Sequence, residues 1–246
     1  MSLDWQGEGI VLATRPHGEG SAILTVLTPD LGRLSGLIRG GSGRRLTPVL
    51  QPGNRLRLTW KARLETQLGT FTADPVRARA GLIMADRQAL AALSSVCALL
   101  MACLPEREPH PALFEASDAL LEALVGVKDW PLLYLKWELG LLEELGFGLD
   151  LSRCAVTGAS QGLAFVSPKS GRAVTWEGAE GWAAKLLPLP ACLTRSTGMA
   201  ASPQEMQEGL RLTGHFLARA LAPDAAHHRE IPAARQRLPE ICSRQT

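Results

Sequence analysis

Aromatic residues are scarce in this 246-residue chain, at 5% with a single tyrosine, and no apolar run reaches the ~20 residues of a membrane-spanning helix. The most apolar stretch is bracketed by Asp86, Arg87, Glu106 and Glu108. The N-terminus has no basic-then-apolar secretory pattern. Cysteine is scarce too. Cys97, Cys103, Cys154, Cys192 and Cys242 are odd in number and include no C-x-x-C pair, so neither a disulfide framework nor a ready zinc site is indicated, and reduced thiols in a cytoplasmic protein are expected. Catalytic signatures are missing as well: there is no G-x-S-x-G and no H-E-x-x-H, and the five histidines are scattered. The glycine-rich segment 39–45 lacks the lysine of a phosphate-binding P-loop, which disfavours nucleotide hydrolysis.

An apolar content of 46% is enough to fill a core. The formal charge of +2 hides segregation. Residues 1–80 carry 11 basic against 6 acidic side chains, residues 81–150 carry 4 against 11, and residues 151–246 carry 11 against 7. Differently employed parts follow.

From residue 9 to 73 the pattern is of short β-rich runs broken by turn residues, with strands expected at 10–15, 21–28, 33–39, 54–63 and 66–73. Pro29 and Gly32 mark a tight reversal between the second and third. Five strands so spaced suit a small closed barrel, of the OB-fold or an SH3-like kind. The fourth run alternates strictly. Leu56, Leu58 and Trp60 share one face, and Arg55, Arg57, Lys61 and Arg63 mostly the other. Together with Arg15, Arg33, Arg39, Arg44 and Arg45, they give a barrel surface rich in cations and without interleaved carboxylates, an electrostatic footprint for phosphate. The segment Arg39-Gly40-Gly41-Ser42-Gly43-Arg44-Arg45 reads as a flexible cationic arm.

Helices are expected at 86–104, closed by Pro105, at 111–125 and at 130–145, where Leu133, Trp137, Leu141 and Leu145 form an apolar stripe. The acidic residues of this block, among them Glu106, Asp118, Glu122 and Glu138, should face solvent or a basic partner. Residues 150–190 are irregular, with a hairpin near 167–172. A last helix opens at Ser202-Pro203-Gln204-Glu205, a capping box with Pro in the first turn, and runs to about 222.

Two ordered blocks carry a family resemblance. Residues 7–20 and 24–34 (GEGIVLATRPHGEG and LTVLTPDLGRL) resemble the start of the bacterial DNA repair protein RecO family, and residues 145–158 with 165–171 resemble its segment around a zinc-ribbon-like element. The resemblance spans nearly the whole chain. It implies an α+β multidomain protein: a five-stranded OB-fold DNA-binding domain at 1–80, an α-helical domain from 81–150 and 191–246, and a small zinc-ribbon-like insertion at 151–190. It also implies a non-catalytic recombination mediator without cofactor. Such proteins bind single- and double-stranded DNA without sequence preference, anneal complementary strands, and act with RecR and SSB to promote RecA loading. Localisation would be cytoplasmic, associated with the nucleoid during repair.

Zinc-binding members have four cysteines, whereas here Cys154 stands alone and Thr157 fills the second position. A metal-free module is therefore expected, packed instead by Phe165, Trp176 and Trp182. The implied DNA-binding set is Arg15, Arg33, Arg39, Arg44, Arg45, Arg55, Arg57, Lys61 and Arg63. The family takes the acidic C-terminal tail of SSB into its helical region, for which Arg211 and Arg219 are candidates by position. Two other classes compete: a non-catalytic interaction scaffold with an OB-like barrel, and an enzyme using the Cys154 thiol.

Overall fold

The computed structural model describes residues 3–64, 66–127, 129–195, 200–222 and 229–243. The chain divides after Val125 into two compact units, and among the described residues no helix is long and apolar enough to cross a membrane.

The first unit is built on a closed barrel of five strands in the order β1-β2-β3-β5-β4: β1 (Leu3–His17), β2 (Ser21–Thr28), β3 (Gly32–Ile38), β4 (Arg55–Ala62) and β5 (Thr70–Arg77). The first strand starts well before residue 10, where the apolar pattern begins. Its first half, from Leu3 to Ile10, pairs antiparallel with β4, and its second half pairs with β2, the two joined across a bulge between Val11 and Ala13. One long bent strand thereby serves two neighbours. A short parallel pairing, Leu37 with Thr70 and Ile38 with Phe71, closes the circle. Inside lie Val11, Leu24, Val26, Leu34, Ile38, Leu56, Leu58, Trp60 and Phe71, alternating with outward residues as the two-residue period of a strand requires.

The reversal after β2 forms where the turn residues predict it. The Thr28 hydroxyl donates to the Gly32 carbonyl and accepts from the Leu31 amide, both at 3.1 Å. Gly32 has φ +59°, and a Cβ there would fall 1.7 Å from the Glu108 carbonyl oxygen, so no side chain fits.

Residues 40–50 are not the loose arm that their glycine content suggests. They fold into successive turns, with Gly43 N–H bonded to Gly40 O at 2.9 Å, Thr47 N–H to Gly43 O at 3.0 Å and Leu50 N–H to Leu46 O at 2.9 Å. Ser42 Oγ ties them to Ser21 O at 2.7 Å. Local backbone bonds outweigh the entropy of three glycines, which sequence composition does not reveal. Behind them Asn54 is buried with its amide fully employed. It donates to the carbonyls of Pro48 and Val49 and accepts from the amides of Arg79 and Ala80.

Three helices complete this unit: the short α1 (Ala80–Ile83), α2 (Arg87–Cys103) and α3 (Pro111–Ala123). Asp86 caps α2 by accepting from the amides of Gln88 at 2.7 Å and Ala89 at 3.1 Å. Cys97 is buried on α2, and desolvation pushes its thiol up to about 12, the behaviour of a small hydrophobe.

The second unit contains α4 (Trp130–Glu144), α5 (Pro203–Leu221), α6 (Ala233–Ser243) and a three-stranded sheet in the order β7-β6-β8, from β6 (Leu163–Val166), β7 (Ala173–Thr175) and β8 (Leu187–Pro188). The capping box opens α5 as read from sequence. The buried face of α4 is rotated from the expected stripe: Leu133 is exposed, while Tyr134, Leu135, Trp137, Glu138, Leu141 and Leu142 point inward. Glu138 is thus no surface acid, because α6, which the sequence pattern does not announce, supplies Arg235 as its buried partner. In the small sheet Cys154, Phe165, Val174 and Ala179 form the core. Trp176 and Trp182 do not fill it: they stand at the starts of two 3-10 turns and are 70% and 60% exposed.

Candidate nucleic-acid interface

Strand β4 turns Arg55, Arg57 and Lys61 outward, as its alternation requires, but the ladder sets carboxylates against them. Glu8 pairs in register with Arg57, Asp4 with Lys61, and Asp74 of β5 with Arg57. The expectation of a face without interleaved carboxylates is corrected here, since register between distant strands is not written in either strand alone. Lys61 lies 3.1 Å from Asp4, and Arg57, still exposed, 3.6 Å from Glu8.

Two of the expected cations are engaged within the unit. Arg33 donates to the Leu104 carbonyl at 3.1 Å and lies 3.5 Å from Glu106. Arg55 bonds Glu8 at 2.8 Å and Asp118 at 2.6 Å, with its guanidinium over the Phe114 ring. Burial disfavours its charge, yet Asp118 and Glu8 outweigh that and hold it more firmly protonated than usual. Two arginines the sequence reading passed over join the cluster. Arg79, only 1% exposed, bonds the Gly53 carbonyl, Asp118 and Glu122, and Arg77 bonds Glu122. The hydrogen bonds from Arg77 hold Glu122 below the usual carboxylate range. Their signal was available, since Arg77 and Arg79 close the basic first 80 residues just before the acidic block. Part of the segregated charge is therefore self-neutralised: α3 offers Asp118 and Glu122 to the ends of β4 and β5.

Other cations stay free. Arg15, Arg39, Arg44, Arg45 and Arg63 are exposed and form no ion pair with another described residue. Arg39 and Arg45 stand over a groove of about 710 Å³ whose lining includes Leu46, Thr70, Phe71 and Thr72. Next to it, Lys61, Arg63, Gln67 and Thr70 line a second hollow of about 390 Å³. Thr70 belongs to both, so Arg45, Arg39, Thr72, Thr70, Lys61 and Arg63 form one track. Neither hollow is lined by a carboxylate. The track also offers no stacking platform: Trp60 and Phe71 are 4% and 3% exposed, the Trp60 Nε1–H is spent on the Leu68 carbonyl, and Arg107 covers the Trp60 ring. Arg15 lies on β1, opposite Ile23 of β2.

In the second unit Arg211 is exposed on α5. Arg219 instead secures the hairpin before β7, donating to the carbonyls of Pro168 at 2.6 Å and Lys169 at 3.2 Å. Among the described residues no group of three or more His, Cys, Asp or Glu side chains is placed to hold a metal ion.

Comparison with known proteins places this architecture in a class of DNA repair and recombination proteins. The family described as "Recombination protein O N terminal" matches residues 1–79, and "Recombination protein O C terminal" matches residues 84–230. Similar proteins, each called DNA repair protein RecO, occur in Cereibacter sphaeroides strain ATCC 17029 (52% identical over 242 residues, 98% of this chain and 99% of the relative) and Ruegeria sp. strain TM1040 (52% over 242 residues, 98% and 99%). Another is that of Paracoccus denitrificans strain Pd 1222 (50% over 237 residues, 96% and 95%). The chain belongs to the RecO family.

Proposed function

We propose that this protein is a recombination mediator in DNA repair, without catalytic activity or cofactor, whose barrel is an OB-fold that binds single- and double-stranded DNA irrespective of sequence. The observation that carries this is the track of Arg39, Arg45 and Arg63, exposed and without an ion pair to another described residue, linked by the Thr70 and Thr72 hydroxyls and by Lys61, which it shares with Asp4. Cations displace condensed counterions from phosphates, and hydroxyls donate to phosphate oxygens without reading bases. Arg44, Arg57 and Arg15 extend the same field. Arg33 and Arg55, engaged inside the unit, act mainly in its stability.

With no exposed aromatic face on the track, phosphates are neutralised while base edges stay open to pair, which suits annealing. Membership of the family supports action with RecR and SSB to promote RecA loading, with the SSB tail near Arg211, in the cytoplasm and at the nucleoid. Domains follow as a barrel at 1–80, helices at 81–150 and 191–246, and a zinc-ribbon-like insertion at 151–190. Zinc itself does not fit that insertion. Cys154 Sγ already accepts from the amides of Val156, Thr157 and Thr175 at 3.3–3.4 Å, and the residues nearest it, Thr175 and Gly178, supply no further thiolate.

The test is a salt titration. Reversing Arg39, Arg44 and Arg45 to Glu is expected to lower affinity for any oligonucleotide more than tenfold and to flatten the dependence of log K on log salt by roughly one per lost phosphate contact. Unchanged affinity and slope would refute the assignment.

A further inference from the structure

The barrel's track grips phosphates and leaves bases untouched. The protein's two exposed indoles lie elsewhere, on the small sheet of the second unit. Of the six tryptophans, Trp60, Trp130 and Trp137 are buried and Trp5 is half-buried against the barrel core. Trp176 and Trp182 are 70% and 60% exposed. Neither is a frayed end. Phe165 braces Trp176 edge-to-face at 4.7 Å and 77°, and the Lys185 ammonium sits 4.8 Å from the centre of the Trp182 ring. The turns that present them are bonded in place, Trp182 N–H to Ala179 O and Lys185 N–H to Trp182 O, each at 2.8 Å. Indoles held rigid yet wet are costly surface unless something covers them.

We infer that Trp176 and Trp182 are a base-stacking platform for single-stranded nucleic acid, separate from the barrel's phosphate track; the inference rests on the DNA reading above. Three features favour bases over an apolar partner. Glu177, Gly178, Glu180 and Gly181 lie between the two indoles in the chain, so carboxylates and bare backbone interrupt the apolar surface there, Val156 being the other large exposed apolar side chain of this module. Lys185 holds its ammonium over one face of the Trp182 ring, 4.8 Å from its centre, which leaves a base the opposite face of an indole that is 60% exposed and sets a cation close to the phosphate of a strand stacked there. Arg153, Lys169 and Lys185 are exposed on the same module beside Glu177 and Glu180, while Arg172 lies 3.7 Å from Asp150, a small cationic excess that suits a polyanion. Every base has a π-face, so such a platform adds affinity without sequence preference. It requires bases free of a duplex, and so gives a barrel that treats all DNA alike a preference for single strands.

The experiment uses the full chain and three labelled probes: a mixed-sequence single strand, its duplex, and a strand of equal length with abasic sites throughout. Trp176→Ala and Trp182→Ala should each weaken binding of the mixed-sequence strand at least about fivefold and leave duplex and abasic-strand affinity unchanged. Wild-type tryptophan fluorescence should be quenched by the mixed-sequence strand, and the double Phe variant should lose most of that quench. Wild-type binding of all three probes with unaltered affinities in the variants would overturn the platform and leave the barrel reading standing. So would equal losses for the mixed and abasic strands, or quenching by a proline-rich peptide but not by DNA. No binding of any probe by the wild type would overturn both.

Discussion

Arg235 and Glu138 lie 97 residues apart and form a buried ion pair in the second unit, with Arg235 Nη2 donating to Glu138 Oε2 at 3.0 Å. Tyr134 donates to Glu138 Oε1 at 2.7 Å, Thr213 donates to Oε2, and Arg235 also reaches the Leu210 carbonyl at 2.8 Å. Helices α4, α5 and α6 are thus fastened through one carboxylate. Burial opposes the arginine's charge, but Glu138 more than compensates and raises its pKa.

Removing one partner should be far worse than removing both. Arg235→Met leaves a buried carboxylate without its counter-charge and is expected to destabilise the unit by about 3–5 kcal/mol, whereas Arg235→Met with Glu138→Leu should recover most of that loss. Thermal or urea unfolding of the two variants measures the difference. Equal destabilisation by both would mean that packing, not charge compensation, holds these helices.

The barrel's arginines should separate into two kinds. Arg55 bridges Glu8 and Asp118, so Arg55→Ala is expected to lower stability by about 1–3 kcal/mol through the unpaired carboxylates and to leave the salt slope of DNA binding unchanged. Arg45→Ala, losing an exposed side chain on the track, should do the opposite: unfolding within about 0.5 kcal/mol of wild type, with weaker and less salt-dependent binding. Paired unfolding curves and salt titrations decide it. A flattened slope for Arg55→Ala would return that residue to the interface.

These two pairs also mark what could be read in the sequence. Strands β2 to β5 and helices α2 to α5 announce themselves through two- and 3.6-residue periods, the Pro29–Gly32 turn and the Ser202 capping box, all local signals. The first half of β1 was hidden by Gln6-Gly7-Glu8-Gly9, a polar and glycine-rich run that becomes a strand only because β4 lies beside it. Helix α6 carries Pro239 within it and depends on Arg235 finding Glu138. At the interface the cations were legible from their clustering. Which of them remain free was not, because Glu8 and Asp118 reach Arg55 from 47 and 63 residues away.

Cys154 makes stability depend on pH. Burial disfavours its thiolate, but hydrogen bonds from Thr157 and Thr175 prevail and bring the thiol down to about 6. In the unfolded chain it titrates near 8.5–9. A depressed acid contributes stability that is fully present above its unfolded pKa and is lost as pH falls through its folded one. The protein should therefore lose stability from this site as pH falls from about 9 to about 6, with no further loss from it below. Cys97 and Cys192, which burial pushes up to about 12 and about 11, ionise above that window in the folded state. Unfolding free energies of wild type and Cys154→Ala across pH 6–9 test the assignment: the variant should be less stable at pH 9 and should converge with wild type toward pH 6, apart from a constant packing loss. Parallel curves throughout would show that the sulfur is held as a neutral thiol.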